Sequence, residues 1–400
     1  MQDIQKLESA GDYNGVINAV RERVAKDRRA FTDSSIKAWC GRRWRNLFIN
    51  EAVKDETALK AASGGLFSFG DKRGDRQKIA ERYLRGDGPN EWNVEMPLAQ
   101  VPALKNVTLL FCPGMLNGLL PVRAFQEALP AIEQKHGWPI LRADLHPMRG
   151  CEANIADLEA ALERGTGLAA DCSVIPADRA KKPGDVFIIS YSKGTPDVLH
   201  LLVRHPELKS RVRAIFNWAG APGGSYLADD IYNSVKDLPI DLDQTPVGRL
   251  LTTVSPVIQT ESMRRLPEFD IKTCVHDVTT PVRSAFMAEH RDFLDGLGIP
   301  FFNITGSTNA LEVPYFQIQG VNQLNRYDAN NDMQVTQDQA KVKMPMATDL
   351  AMLHGHHWDV SYSPFPNRMR FGSPHLDHPF PKEAAPMAMF LLAAELGLID

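Results

Sequence analysis

Residues 185–202 read DVFIISYSKGTPDVLHLL, an apolar run, a corner of small residues and then a helical pattern. Val186, Phe187, Ile188 and Ile189 are apolar without a break, which marks a strand of a parallel sheet buried on both faces. Ser190-Tyr191-Ser192-Lys193-Gly194 forms the corner. A serine on a sharp strand-to-helix turn is held in a strained backbone conformation and projects its hydroxyl above the sheet edge, where small residues two before and two after let strand and helix approach. The pattern is the G-x-S-x-G of a nucleophile elbow with Ser190 in place of the first glycine. Pro196 suits the start of the helix that follows, and His205-Pro206 suits its end.

Outward from this unit the chain alternates strands and helices. Residues Val107–Cys112 predict a buried strand, Pro113-Gly114 a turn and Val122–Lys135 a helix. Ile140–Asp144 is the next strand, Ile155–Leu162 the next helix, and Val212–Asn217 the strand after the elbow. Such alternation implies right-handed crossovers and a mostly parallel sheet covered by helices on both faces. Sites in these sheets lie at the carboxyl ends of the strands, where Ser192 stands. After Ala219–Gly224 the alternation stops. Pro246–Ile258 and Ser284–Leu297 read as amphipathic helices with no strand between them, so residues from about 225 to 298 predict an inserted lid over the serine. The sheet resumes with Ile299–Gly306 and ends with Leu350–Leu353, and Glu383–Leu398 closes the chain as a helix.

Residues 1–95 predict a helical, peripheral extension, and residues 96–400 the main domain. Val16, Ile17, Val20 and Val24 recur at near-helical spacing. Ile36, Trp39, Trp44, Leu47 and Phe48 mark a second helical segment around Arg42-Arg43-Trp44-Arg45, read as a solvated basic face with buried tryptophans. Gly64–Gly70 breaks the helical pattern and reads as a loop lying over the main domain.

Composition narrows the function classes. The 400 residues are 44% hydrophobic and 24% charged, ordinary for a globular chain, and a net charge of -4 gives no reason to expect a nucleic-acid or anionic-membrane partner. No run is long and apolar enough for a membrane span, and MQDIQKLESAGDYNG lacks the apolar core of a signal peptide, so the expected location is cytoplasmic. Five cysteines without a C-x-x-C pair indicate neither a disulfide framework nor a zinc ribbon, and Cys112 reads as a buried thiol. His375, Asp377 and His378 are close enough in sequence to raise a divalent metal as an alternative to a polar loop.

A serine hydroxyl becomes a useful nucleophile when an imidazole takes its proton, and a carboxylate must orient that imidazole. On this sheet architecture the chain order is serine, acid, histidine, with the last two on loops after late strands. Arg326–Val335 follows the strand ending at Gly306 and offers Asp328 and Asp332. The last strand is followed by His354, His356 and His357.

From about Val107 onward the chain resembles the α/β-hydrolase superfamily, within its lipase and esterase branch, which includes the bacterial lipases. Pro113-Gly114-Met115 resembles that family's H-G-x oxyanion turn with proline for histidine. Ala221–Ser225 with Ala228-Asp229 resembles its small-residue and A-D segment. Asn331–Val335 resembles its N-D-G-x-V acid loop with Met333 for glycine, and His357-Trp358-Asp359 resembles its H-x-D. The resemblance implies Ser192 as nucleophile, Asp332 as acid and His357 as base, with backbone N–H groups of Met115 and Lys193 as oxyanion donors. It implies hydrolysis of carboxylic esters through an acyl-enzyme without metal or organic cofactor, and the large, apolar-rich lid points to small-molecule or polymeric esters with a hydrophobic acyl part. An acyltransferase, thioesterase or amidase shares the same triad, and a non-catalytic binding protein shares the fold. The Lys193 ammonium is expected in solvent and Tyr191 packed beside the serine. Oligomeric state is left open, and residues 1–95 match no part of the family pattern.

Overall fold

One seven-stranded sheet organises the computed structural model, which describes residues 3–64, 71–86, 89–236, 265–370 and 374–399. Its strands are β1 (Leu84–Arg85), β2 (Val107–Cys112), β3 (Ile140–Arg142), β4 (Asp185–Tyr191), β5 (Val212–Trp218), β6 (Phe301–Ser307) and β7 (Ala347–His354). They lie in the order β1-β7-β6-β5-β4-β2-β3, and all neighbours are parallel except β1, which pairs antiparallel with β7.

Strand alternation divides the core into two layers. Phe187 and Ile189 of β4 join Phe216 and Phe302 on one side, whereas Val186 and Ile188 join Ile215 and Phe301 on the other. Both faces are therefore apolar, which is why these strands read as unbroken hydrophobic runs. The first layer is covered by the helices α3 (Ser34–Ala52) and α6 (Ala128–His136) and by the C-terminal helix Ala384–Glu395. The second is covered by α7 (Cys151–Arg164) and α8 (Gly194–Arg204).

Two expectations need correction. The front of the chain is not peripheral. Trp39, Trp44 and Phe48 of α3 are buried in the same cluster as Phe216 and Phe302, and β1 adds an edge strand. The basic stretch is not solvated either. Both Nε and Nη2 of Arg43 donate to Glu395 at 2.8 and 2.5 Å, Arg45 donates to Glu91 at 2.6 Å and to the Leu350 carbonyl at 2.7 Å, and Arg42 donates to Glu8. A helix covered on several sides must hand its arginine heads to carboxylates on the neighbouring elements.

The helix expected from Val122 starts only at Ala128. Residues before it are pinned by tertiary bonds: Phe125 N donates to Ser361 O at 2.7 Å, and the buried Arg142 guanidinium donates to the carbonyls of Ala124 and Phe125 at 2.8 and 2.6 Å. The helix expected over Ser284–Leu297 is two helices, Thr280–Glu289 and Arg291–Asp295. Expectations for Pro246–Ile258 and for residues 65–70 fall outside the described residues. Among the described residues no helix is long and apolar enough to cross a membrane.

Candidate active site

Ser192 closes the turn from β4 into α8 with a φ of +55°, a left-handed conformation that costs a non-glycine residue roughly 1–3 kcal/mol and persists only where the surroundings enforce it. Its carbonyl oxygen accepts from the amides of Thr195 and Ala221, both at 3.1 Å, and its own amide donates to Trp218 O at 3.3 Å. The loop after β2 lies directly against it: a Cβ on Gly114 would fall 2.5 Å from Ser192 Cβ and 3.0 Å from Ser192 Oγ. Pro113-Gly114-Met115 therefore borders the hydroxyl, and only a residue without a side chain fits at the middle position.

Asp332 and His357 meet through His357 Nδ1 and Asp332 Oδ2 at 2.7 Å, both side chains almost wholly buried. Asp332 Oδ1 accepts from the amides of Gln334 and Val335 at 3.0 and 2.8 Å, so the carboxylate is locked by its own loop. Met333, standing where the resemblance has glycine, takes a φ of +82° and is fully buried. Tyr191 stacks on His357 with ring centroids 5.0 Å apart and donates its hydroxyl to His357 O at 3.0 Å. Burial pushes the Tyr191 phenol well above its ordinary pKa, so it serves as a neutral donor.

The competing residues are engaged elsewhere. Asp328 caps its own turn by accepting from the amides of Asn330 and Gln337. His354 faces Glu312 and Arg85, while His356 Nδ1 accepts from Asp359 N and its Nε2 meets His375 O at 2.9 Å.

Ser192 and His357 open onto one cavity of about 990 Å³, its mouth included, which Met115 and Lys193 also line. Its walls are apolar: Met148, Leu227, Ile231, Ile271, Val275 and Trp358. Leu227 and Ile231 come from α9 (Tyr226–Val235), and Ile271 and Val275 from the helix Ile271–His276. A nucleophile candidate, an oriented imidazole and an apolar chamber thus share one space.

No protein-family profile matches the chain, and no curated protein matches it in sequence. Among solved structures, a metagenomic carboxyl esterase aligns with 89% of this chain and 92% of its own length, at 21% identity and a TM-score of 0.56. Staphylococcus hyicus lipase aligns with 76% of this chain and 98% of its own at 12% identity and a TM-score of 0.44. The mature Bacillus licheniformis lipase aligns with 66% and 88% at 19% identity and 0.43. The chain has the α/β-hydrolase fold. The α/β-hydrolase fold places the turn after β4 and the loops after β6 and β7 at one end of the sheet, which is where Ser192, Asp332 and His357 stand.

Two arrangements in this α/β-hydrolase fold depart from the sequence reading. Lys193 is not in solvent: its ammonium is buried and meets the equally buried Asp197 at 2.6 Å, and Asp197 accepts from Asn154 at 3.2 Å. Burial disfavours the charged lysine, but the facing carboxylate outweighs it and holds the pKa above the ordinary value. Their four-residue spacing on one helix turn was the available sign. The second departure concerns metal. His378 gathers with His356 and Asp359, their candidate ligand atoms within 4.8 Å, whereas His375 lends only a carbonyl and Asp377 is exposed. His378 Nδ1 meets Asp359 Oδ1 at 3.0 Å and both His356 nitrogens have partners, whereas the buried His378 Nε2 has no hydrogen-bond partner among the described residues.

Proposed function

We propose that the protein is a serine hydrolase of carboxylic esters, working through an acyl-enzyme. The observation that carries this reading is the Asp332–His357 pair, whose histidine lines the same apolar cavity as Ser192 on its strained elbow. Asp332 accepts a hydrogen bond from Nδ1–H of His357, which holds the tautomer that leaves Nε2 as the base. His357 takes the Ser192 proton as Oγ bonds to the ester carbonyl carbon, and the carbonyl oxygen gains the negative charge. Backbone amides of Met115 and Lys193, on either side of Ser192, are the assigned donors to that oxygen. One such donor typically contributes about 3 kcal/mol in the transition state. Collapse of the intermediate breaks the bond to the alcohol oxygen, which leaves with the proton from His357. Water then repeats the sequence on the acyl-enzyme and releases the acid.

In this reading α9 and the helix Ile271–His276 belong to a cap, since they supply much of the apolar wall. That wall suits esters with a hydrophobic acyl part. The test is labelling by a fluorophosphonate together with hydrolysis of an activated ester. Wild type is expected to label and turn over, and Ser192→Ala to do neither; equal labelling of the two proteins refutes the assignment.

A further inference from the structure

Five side chains, four on neighbouring strands and Thr195 on the helix that follows, form a hydrogen-bonded row beneath the elbow. Ser190, Asn217, Asn303 and Asp349 are direct register partners on β4, β5, β6 and β7. The first three are buried, a costly place for two amides unless every polar atom is used. They are used in full. Asn217 Nδ2 donates to Asn303 Oδ1 at 2.8 Å and to Ala340 O at 2.7 Å. Asn303 Nδ2 donates to Asp349 Oδ1 at 2.9 Å and to Val342 O at 3.1 Å, and Asn303 Oδ1 also accepts from Val342 N at 3.0 Å. Asn217 Oδ1 accepts from the Thr195 hydroxyl at 2.8 Å, which leaves Ser190 Oγ, also at 2.8 Å, to donate to Thr195 Oγ1. The row ends in solvent, where Asp349 meets Lys341 at 2.8 Å.

We infer that Thr195 and Asn217 are positioning residues for Ser192, and that this row is the device that holds the nucleophile in its strained conformation. The inference rests on the reading of Ser192 as the nucleophile. Both amides that grip the Ser192 carbonyl belong to segments fixed by the row. Thr195 supplies one from its own backbone. Ala221 supplies the other, and its neighbour Gly220 lies so close to the Thr195–Asn217 bond that a Cβ there would fall 1.8 Å from Asn217 Oδ1 and 2.5 Å from Thr195 Oγ1. A buried network whose amide groups are all satisfied resists rearrangement, so it transmits the fixed register of four strands to the turn. Ser190, which stands where the elbow pattern has glycine, is the last donor of the row and not a filler.

The experiment compares wild type with Thr195→Val, which keeps the shape and removes the hydroxyl, and with Thr195→Ser, which restores it. Folding is followed by circular dichroism, kcat and KM with an activated ester, and the rate of fluorophosphonate labelling. Because small displacements of a reacting atom cost rate steeply, Thr195→Val is expected to lose roughly tenfold or more in kcat and in labelling rate. Its KM should stay within about twofold, since substrate contacts are untouched. Thr195→Ser should recover most of the loss. A folded Thr195→Val that is less stable yet labels and turns over like wild type shows that the row only holds the sheet together, and the inference falls. If Thr195→Val does not fold, Ser190→Ala replaces it under the same criteria. A wild type that takes no label overturns the nucleophile reading and this inference with it.

Discussion

His357 is tied to Asp332 twice: its ring Nδ1 meets the Asp332 carboxylate at 2.7 Å, and its backbone amide donates to the Asp332 carbonyl at 2.7 Å. The second bond is independent of the side-chain chemistry. Asp332→Asn should therefore keep the fold while losing the acceptor that sets the histidine tautomer. The expected result is a fall in kcat of about 10³- to 10⁴-fold with an unchanged melting curve. Loss of the fold alongside activity would show that the carboxylate serves the loop first.

The buried pair of Lys193 and Asp197 should make stability asymmetric to mutation. Lys193→Met strands Asp197 without its cation, a change that typically costs about 3–5 kcal/mol. Adding Asp197→Leu removes the stranded charge and should recover most of it. Urea unfolding of the two variants decides, and equal stability of single and double mutants would contradict the pairing.

Met333 sets two effects against each other. Glycine would relieve the left-handed backbone, worth roughly 1–2 kcal/mol. It would also empty a fully buried site, and deleting a buried methionine side chain costs about 2–5 kcal/mol. The second effect is larger, so Met333→Gly should lower the urea midpoint. A raised midpoint would mean that the strain dominates.

Burial pulls the His378 imidazole down to about 4, and its bond to Asp359 only partly opposes this. An unfolded histidine titrates near 6.5, so between those values the unfolded chain binds a proton that the native chain does not. Stability therefore falls as pH drops through that window. His378→Gln, which keeps a donor for Asp359 but does not titrate, should lose about 3 kcal/mol less than wild type on going from pH 7 to pH 4. Parallel pH profiles of unfolding free energy would refute the shift.

Ile231 lines the cavity from α9. Ile231→Trp should shorten the space open to an acyl chain, lowering kcat/KM for decanoate esters by about tenfold while sparing acetate esters. A uniform loss on both would place the chain elsewhere.

The sequence exposed what is decided locally. The β4 run and its corner are legible because burial on both faces and a sharp turn each leave a mark within a few residues. The loops that bring Asp332 to His357 are legible by chain order, and the neighbours of Asp328, His354 and His356 account for why those residues stand apart from that pair. What could not be read depends on distant partners. β1 is two residues long and exists only against β7. Arg42, Arg43 and Arg45 look like a wetted face until Glu8, Glu395 and Glu91 are brought to them. The row under Ser192 is scattered over four strands, and its members, single polar residues in apolar runs, meet only once the register is set.

Arg43 and Glu395 are separated by 352 residues. During synthesis the ribosome makes Arg43, on α3, 352 residues ahead of its partner on the helix Ala384–Glu395. Until that helix emerges, Arg43 has no Glu395 carboxylate to meet, and the tryptophans beside it lack part of their cover. Native packing of α3 therefore waits for the helix Ala384–Glu395, and until it emerges the nascent chain carries an open apolar face that chaperones can hold.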